Sequence, residues 1–344
     1  MSNPQSSQVA ARRTEGRATN TLRSIVRYGV ALALVAALSV FLLFWRYVST
    51  GQGAAYPRPD AADVFLPFAG FAQLKLWFVT GVWDHAHPAA GVVLLAVVVT
   101  AWLFRRAACS WLCPFGIVAE FLASLGRRIF GRNFVLPRWL DRALLALKYV
   151  GTFVVLWWFM GASADALRSM MARPFYVTAD AKVFELYAHV GPTVLIVISA
   201  ILLGSVFVKS FWCRYLCPYG AIQGIFAVLS PLVLVKNDST CTNCGRCNKA
   251  CMNVVDVAGS TGAVVSGECM GCTACVQACP RPRTLEFKLF GLYRVSVWTF
   301  GVTFVALFAG IVIIAALTGS LHSTLTPDLY RQVLPGTADV RLPL

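Results

Sequence analysis

Eight of the twelve cysteines fall within residues 241–279, spaced Cys241-x2-Cys244-x2-Cys247-x3-Cys251 and Cys269-x2-Cys272-x2-Cys275-x3-Cys279, with Pro280 after the last. Thiolates at this spacing suit two [4Fe–4S] cubanes. Three on a tight loop take three irons of one cluster, and the fourth comes from the other run. The predicted ligand sets are therefore crossed: Cys241, Cys244, Cys247 and Cys279 for one cluster, Cys251, Cys269, Cys272 and Cys275 for the other. Small residues between the ligands (Gly245, Gly271, Thr273, Ala274) let backbone N–H groups approach the sulfides and tune the potential. Zinc ribbons also use Cys-x2-Cys pairs, but they leave no use for a triplet plus a fourth cysteine, twice over. One irregularity stands out: Met252 occupies the place that Pro280 holds in the second run.

The other four cysteines form two further pairs, Cys109-Ser110-Trp111-Leu112-Cys113-Pro114 and Cys213-Arg214-Tyr215-Leu216-Cys217-Pro218. At an offset of 104 residues both cysteines, the leucine, the proline and Gly116/Gly220 coincide, and so do His85/His189 and Pro88/Pro192 upstream. Cysteines at i and i+4 share a helix face, and the proline redirects the chain after the second. The segments that follow, Phe115–Leu125 and Tyr219–Val235, read as interfacial helices. Brought together by a pseudo-twofold, Cys109, Cys113, Cys213 and Cys217 make a four-thiol site. It could hold a third cluster or another thiophilic metal, or cycle between dithiol and disulfide. Buried packing cysteines are the bland alternative.

These sites need a scaffold, and the composition says which kind. The chain of 344 residues is 58% hydrophobic and 13% charged, which excludes an ordinary soluble enzyme. Uncharged runs at Tyr28–Trp45, Pro88–Phe104, Tyr149–Ala164, Val190–Val208 and Val295–Leu321 predict five transmembrane helices, the third borrowing Leu144–Leu147. Val64–Trp83 is apolar but broken by Pro67, Gly70 and Lys75, which suits an interfacial segment. The first helix reads as a retained anchor rather than a signal peptide. Most of the 30 Lys and Arg then lie on one face, predicting a cytoplasmic N-terminus and cytoplasmic cysteines. The net charge of +15 thus encodes topology and gives no reason to invoke nucleic acid.

The expected fold is an all-α polytopic membrane protein with an internal two-helix parallel repeat and a cytoplasmic ferredoxin-type insert. Its expected segments are a basic tail without fixed structure (1–27), a first membrane repeat (28–126), a second (127–235), the two-cluster domain (236–290), a fifth helix (291–322) and a periplasmic tail (323–344). All four histidines, His85, His87, His189 and His322, fall on the predicted periplasmic side. His85, His87 and His189 are candidates for a quinol, haem or metal site, or are interfacial side chains at helix ends. His85 and Cys109 stand about 36 Å apart along a helix. Asp84, Asp180 and Glu185 read as solvated acids or proton relays.

With both Cys-x3-Cys-Pro pairs and the double run in place, the chain resembles the NapH/NosR/CcoG-like (YccM-like) family of membrane-bound polyferredoxins, over roughly Arg27 to Leu321. The resemblance implies electron movement between the quinone pool and a periplasmic or cytoplasmic redox protein, a quinol-dehydrogenase type of component in the bacterial cytoplasmic membrane. One branch instead reduces copper during oxidase assembly. Three features differ from individual branches: the chain carries no stretch long enough for a periplasmic flavin domain, no immunoglobulin-like domain, and a helix after the ferredoxin run. A cupric or thiophilic-metal reductase, or an assembly factor for a respiratory metalloenzyme, is the first alternative; a non-enzymatic redox sensor is the second.

Overall fold

The computed structural model describes residues 4–54, 56–188 and 191–334. The chain is mostly helical and gathers into two compact units, each assembled from separate segments. The first is drawn from the described residues within Met1–Val30, Val97–Thr152 and Ile201–Phe308, the second from those within Ala31–Ala96, Phe153–Ala200 and Ala309–Leu344.

Among the described residues three helices, Thr14–Thr50, Arg138–Gly161 and Val297–Leu317, are long and apolar enough to cross a membrane. Two shorter apolar helices, Pro88–Phe104 and Pro192–Phe207, have 17 and 16 residues. Large apolar side chains stand exposed along these elements, among them Leu32, Trp157, Ile196 and Ile314. A surface of that kind belongs in lipid, and the chain is a membrane protein. The Tyr149 run does extend toward its N-terminal side, as its helix starts at Arg138.

Two expectations need correction. The basic tail is not unstructured: the first helix already runs from Pro4 to Thr50. Arg23 and Arg27, one turn apart on one helix face, both reach Glu120 (3.2 and 2.5 Å), and Arg23 Nε donates to the Ser110 carbonyl. The apolar run Tyr219–Val235 is not one helix. It is helical over Pro218–Val228, and Pro231 then separates it from a strand, because the alternation in Leu232-Val-Leu-Val-Lys suits a half-buried strand better than a helix.

That strand, β1 (Leu232–Lys236), joins β2 (Ala263–Val264), β3 (Leu285–Leu289) and β4 (Tyr293–Val295) in an antiparallel sheet of order β2-β1-β3-β4. Leu234 on β1 and Phe287 on β3 are register partners, and both are buried. The sheet therefore backs the cysteine-bearing loops with an apolar face.

In the second unit the helix Pro67–Thr80 packs on the first turns of Pro88–Phe104. Gly70 lies against the Ala90 carbonyl with no room for a side chain, and Gln73 accepts from Gly91 N (2.9 Å). Lys75, which breaks the apolar pattern, donates to the carbonyls of Phe159, Met160 and Ala162 (2.8, 2.6 and 2.5 Å). A cation on the last carbonyls of a helix is favourable both as a hydrogen-bond donor and against the helix dipole.

Candidate metal centres

The two cysteine runs fold into matching loops. In each, the residues flanking the second cysteine take positive φ: Asn243 and Gly245 around Cys244 (49° and 66°), Gly271 and Thr273 around Cys272 (56° and 62°). Left-handed residues alternating with ordinary ones turn successive N–H groups to one side and make an anion-binding concavity. Asn and Gly adopt this conformation readily, whereas β-branched Thr273 is strained there. Gly271 is further constrained, since a Cβ would stand 2.9 Å from the Phe104 carbonyl and from the Phe300 ring. A short helix follows each loop, Arg246–Ala250 and Ala274–Ala278, ending on Cys251 (φ −70°, ψ 120°) and Cys279 (φ −70°, ψ 122°). The same turn is thus reached before Met252 and before Pro280.

The loops bring the predicted sets together. Cys241, Cys244, Cys247 and Cys279 line one cavity, and Cys251, Cys269, Cys272 and Cys275 line another. The first is shallow, with Cys244 exposed; the second is deeper, with Cys275 buried and Leu234 and Phe287 in its wall. Among the described residues no three His, Cys, Asp or Glu side chains converge as a single ion would demand. A cubane asks for something else, one thiolate per iron around a volume. The donor set, the cavities and the inward N–H groups all fit [4Fe–4S] clusters.

The repeat cysteines lie against these loops. Both turns are built alike: Cys113 N donates to the Ala108 carbonyl and Cys217 N to that of Trp212, each five residues back. Both second cysteines cap the following helix in extended conformation. Gly116 rests on the Cys109 carbonyl, and a Cβ on Gly220 would stand 2.6 Å from the Arg106 guanidinium and 2.9 Å from the Cys213 carbonyl. Gly116→Ala and Gly220→Ala are each expected to cost about 1–3 kcal/mol, the usual range for overpacking. Thermal unfolding in detergent would show it as a lowered midpoint, and unchanged midpoints would mean that the turns yield.

The turns hold the cluster loops directly. Ser110 Oγ donates to the Met270 carbonyl (2.9 Å) and Trp111 Nε1 to that of Gly271 (3.3 Å), while Ser210 Oγ donates to the Met252 carbonyl (3.2 Å). Cys109, Cys213, Met252, Met270 and Cys272 line a common small cavity, and the last three also line the Cys275 cavity. Burial, reinforced by neighbouring thiols, pushes Cys113 up to about 12 and Cys213 well above the ordinary thiol value; it raises Cys217 to about 11.

Pattern reading missed the charged node beside them. Glu268, next to Cys269, takes Arg106 in an ion pair, Lys148 at 2.8 Å, the Tyr149 hydroxyl at 2.8 Å and Asn253 Nδ2 at 2.9 Å. Burial opposes its charge, but Arg106 and Lys148 outweigh that and hold the carboxyl at about 2. Arg106 also donates to the Cys213 carbonyl (3.0 Å). Arg214, between the second pair, is held by Asp141 (2.8 Å) and donates to the Asn253 carbonyl. The available signal was charge placed close to the cysteines in sequence, in Arg106, Arg214 and Glu268.

The histidines divide. His189 lies outside the described residues. His85 is exposed, and its carbonyl accepts from Thr324 N (3.1 Å). His322 is exposed and meets Asp60 at 2.8 Å. His87 is fully buried, with Nδ1 on Asp63 (2.8 Å) and Nε2 on the Tyr176 carbonyl (2.7 Å), so both ring nitrogens are taken by the protein and neither is available to a metal or haem. Asp180 is no solvated acid. It is buried, accepts from Arg58 Nε (2.6 Å) and pairs with the Tyr330 hydroxyl, while Arg58 also bridges to Asp63. Asp84 accepts from the Tyr176 hydroxyl at 2.5 Å, and Glu185 pairs with Lys182 at 3.1 Å near the surface.

Known proteins place this arrangement. A family model for a 4Fe–4S binding domain matches twice, over residues 86–133 and 190–236, and one for a 4Fe–4S dicluster domain matches residues 233–280. The putative electron transport protein YccM of Escherichia coli (strain K12) is 34% identical over 314 residues, 88% of each chain. The ferredoxin-type protein NapH of the same organism is 26% identical over 209 residues, 56% of this chain and 67% of NapH. The regulatory protein NosR of Pseudomonas aeruginosa is 28% identical over 172 residues, half of this chain but only 23% of NosR. No solved structure matches. The chain belongs to the NapH/NosR/YccM-like family of membrane-associated 4Fe–4S ferredoxin-type proteins.

Proposed function

We propose that the chain is an electron-transfer protein of the bacterial cytoplasmic membrane, passing electrons between the quinone pool and a respiratory redox partner. Two [4Fe–4S] clusters sit on the crossed ligand sets, and the four repeat thiols are the next redox station. The observation that carries this reading is the shared wall: Met252, Met270 and Cys272 border both the inner cluster cavity and the cavity of Cys109 and Cys213. A path runs from the exposed outer loop at Cys244, through the buried inner loop, to the repeat turns. When bound, the clusters supply one-electron steps; the protein's part is to hold them in line and to exclude water from the inner one.

Five helices span the bilayer in this reading, and the two repeats enter it in the same direction. In support, one family model matches both segments, and Pro88–Phe104 and Pro192–Phe207 start at equivalent prolines. The cation distribution supports a cytoplasmic side for the cysteines. YccM, 34% identical, is described as a putative electron transport protein. Anaerobic reconstitution in liposomes with a quinol tests the donor: reduction of the clusters, followed by EPR, is expected. Intact clusters that stay oxidised would remove quinol from the scheme.

A second reading has its own observation. Met252 and Met270 line the cavity of Cys109 and Cys213, and thioether and thiol sulfurs are the ligand types that suit copper(I). A thiophilic-metal reductase would lose copper-dependent activity on Cys113→Ala while its ferredoxin clusters remained intact.

A further inference from the structure

The two cluster loops share a backbone but not a surface. Ligand for ligand, Cys241 corresponds to Cys269 and Cys251 to Cys279, which sets Arg246 against Ala274 and Lys249 against Gln277. The inner loop is covered at this place. Gln277 exchanges amide hydrogen bonds with Asn20 of the first helix (2.8 and 3.2 Å), and a Cβ on Gly16 of that helix would stand 3.3 Å from Gln277 Oε1. The matching face of the outer loop stays open: Arg246 and Lys249 are exposed, as are Thr242, Asn243 and Cys244. Beyond Cys279 the chain continues Pro280-Arg281-Pro282-Arg283, with both arginines exposed and the Arg281 carbonyl 3.4 Å from Cys279 Sγ. Two prolines stiffen this stretch, and Arg283 is held at φ 62°, a conformation that glycine or asparagine would adopt at lower cost.

Nearby acids are already engaged. Asp238 meets Lys236 at 3.0 Å, and Asp256 accepts from Asn248 (2.7 Å) and the Gly259 amide (2.9 Å). Arg246 and Arg281 line the outer cavity itself. Compensation of cluster charge does not account for the helix cations. The deeper inner loop is less solvated and has more need of it, yet carries Ala274 and Gln277 at the same two positions. The cations thus belong to the one loop that is exposed to other molecules.

We propose that Arg246, Lys249, Arg281 and Arg283 form a docking rim over the outer cluster for a soluble, acidic one-electron carrier protein. The proposal deepens the electron-transfer reading, on which it rests, by naming the partner's chemistry at this end of the chain. One electron passes between the carrier's centre and the outer cluster, with no bond made and no proton moved. Charge complementarity of this kind acts mainly on the rate of encounter, which falls as salt screens it. A small, weak interface suits a carrier that must leave after each transfer.

The test uses the full-length protein, purified anaerobically in nanodiscs of zwitterionic lipid, with an acidic plant-type [2Fe–2S] ferredoxin as probe. The probe should bind and exchange electrons with the outer cluster at low salt, and both should weaken as salt rises. A zero-length carbodiimide should link Lys249 to carboxylates of the probe. Arg246→Ala with Lys249→Gln gives the outer loop the residues that the inner loop already carries, so the turn is expected to tolerate them; an unchanged EPR signal of the outer cluster checks this. That double variant should exchange with the ferredoxin about tenfold more slowly at low salt, and the difference should shrink at high salt. Exchange with a basic cytochrome c should become faster in the same variant. Damage to the cluster would slow both carriers, so the opposite signs identify the rim. Should the potentials forbid exchange with the ferredoxin, binding and the Lys249 cross-link decide. Binding indifferent to salt and to the double variant would overturn the proposal. So would shielding of Lys249 from a water-soluble amine reagent in nanodiscs of anionic lipid but not of zwitterionic lipid, which would assign the rim to headgroups. No quinol is involved, so failure of the quinol scheme leaves the rim standing. Carrier exchange that ignores the rim variants would remove the rim and leave electron transfer intact.

Discussion

Cys279→Ser is expected to empty the outer cluster, that of Cys241, Cys244 and Cys247, and to leave the inner one intact. Sequence proximity predicts the reverse, because Cys279 follows Cys269, Cys272 and Cys275. The cavities decide otherwise: Cys279 shares its walls with Cys241, Cys244 and Cys247, while Cys251 stands among the cysteines of the second run. The complementary Cys251→Ser should remove the inner cluster and spare the outer. Each variant should lose about four irons, one cubane's worth. The two losses should differ in EPR signature, since one cluster lies beside exposed Cys244 and the other beside buried Cys275. Loss of the same signal from both variants would refute the crossed assignment.

Asp63→Ala is the second large effect, and it lies in the other unit. Asp63 is fully buried and faces both Arg58 and His87, with Asp180 on the far side of Arg58. Its removal leaves Arg58 and His87 sharing Asp180 alone. Breaking a buried ion pair by deleting one partner costs about 3–5 kcal/mol. A fall of many degrees in the thermal midpoint is expected, and a near-neutral result would show that water reaches the cluster.

The same group of residues predicts a pH response. Burial disfavours the imidazolium of His87, but the hydrogen bond and charge of Asp63 and the charge of Asp180 outweigh burial and Arg58, so its pKa lies above the ordinary 6.5. Tyr176 and Tyr330 complete the enclosure, Tyr176 through its carbonyl on His87 and Tyr330 through its hydroxyl on Asp180. A pKa raised by folding adds stability in full below the unfolded value, and that stability is lost as pH climbs through the folded one. The midpoint should therefore fall as pH rises above the unfolded value of about 6.5, and His87→Gln should flatten the fall.

The cysteine spacing made the cluster loops legible because a cubane dictates the distance between its ligands along the chain. It also exposed the repeat turns, where Gly116 and Gly220 meet the carbonyls of equivalent cysteines. Membrane character followed from composition alone. What pattern reading could not see was pairing between residues far apart in sequence. Arg106 finds Glu268 and Lys148 only after folding, and Arg58 finds Asp180 in the same way. Isolated charges in a sequence look solvated. In the sequence His87 looks free for a metal, because its two partners, Asp63 and the Tyr176 carbonyl, lie 24 and 89 positions away. The strand Leu232–Lys236 was hidden inside an apolar run, where a short buried strand and the end of a helix share the same composition.

The unequal depth of the two cluster loops sets an order of decay. Cys244 is exposed and Cys275 is buried, so oxygen is expected to reach the outer loop first. A preparation handled in air should weather from the outside inward, shedding its first cubane while the second survives under Leu234 and Phe287. Aged protein would then count as a one-cluster protein, still coloured, but severed from whatever docks at its exposed end.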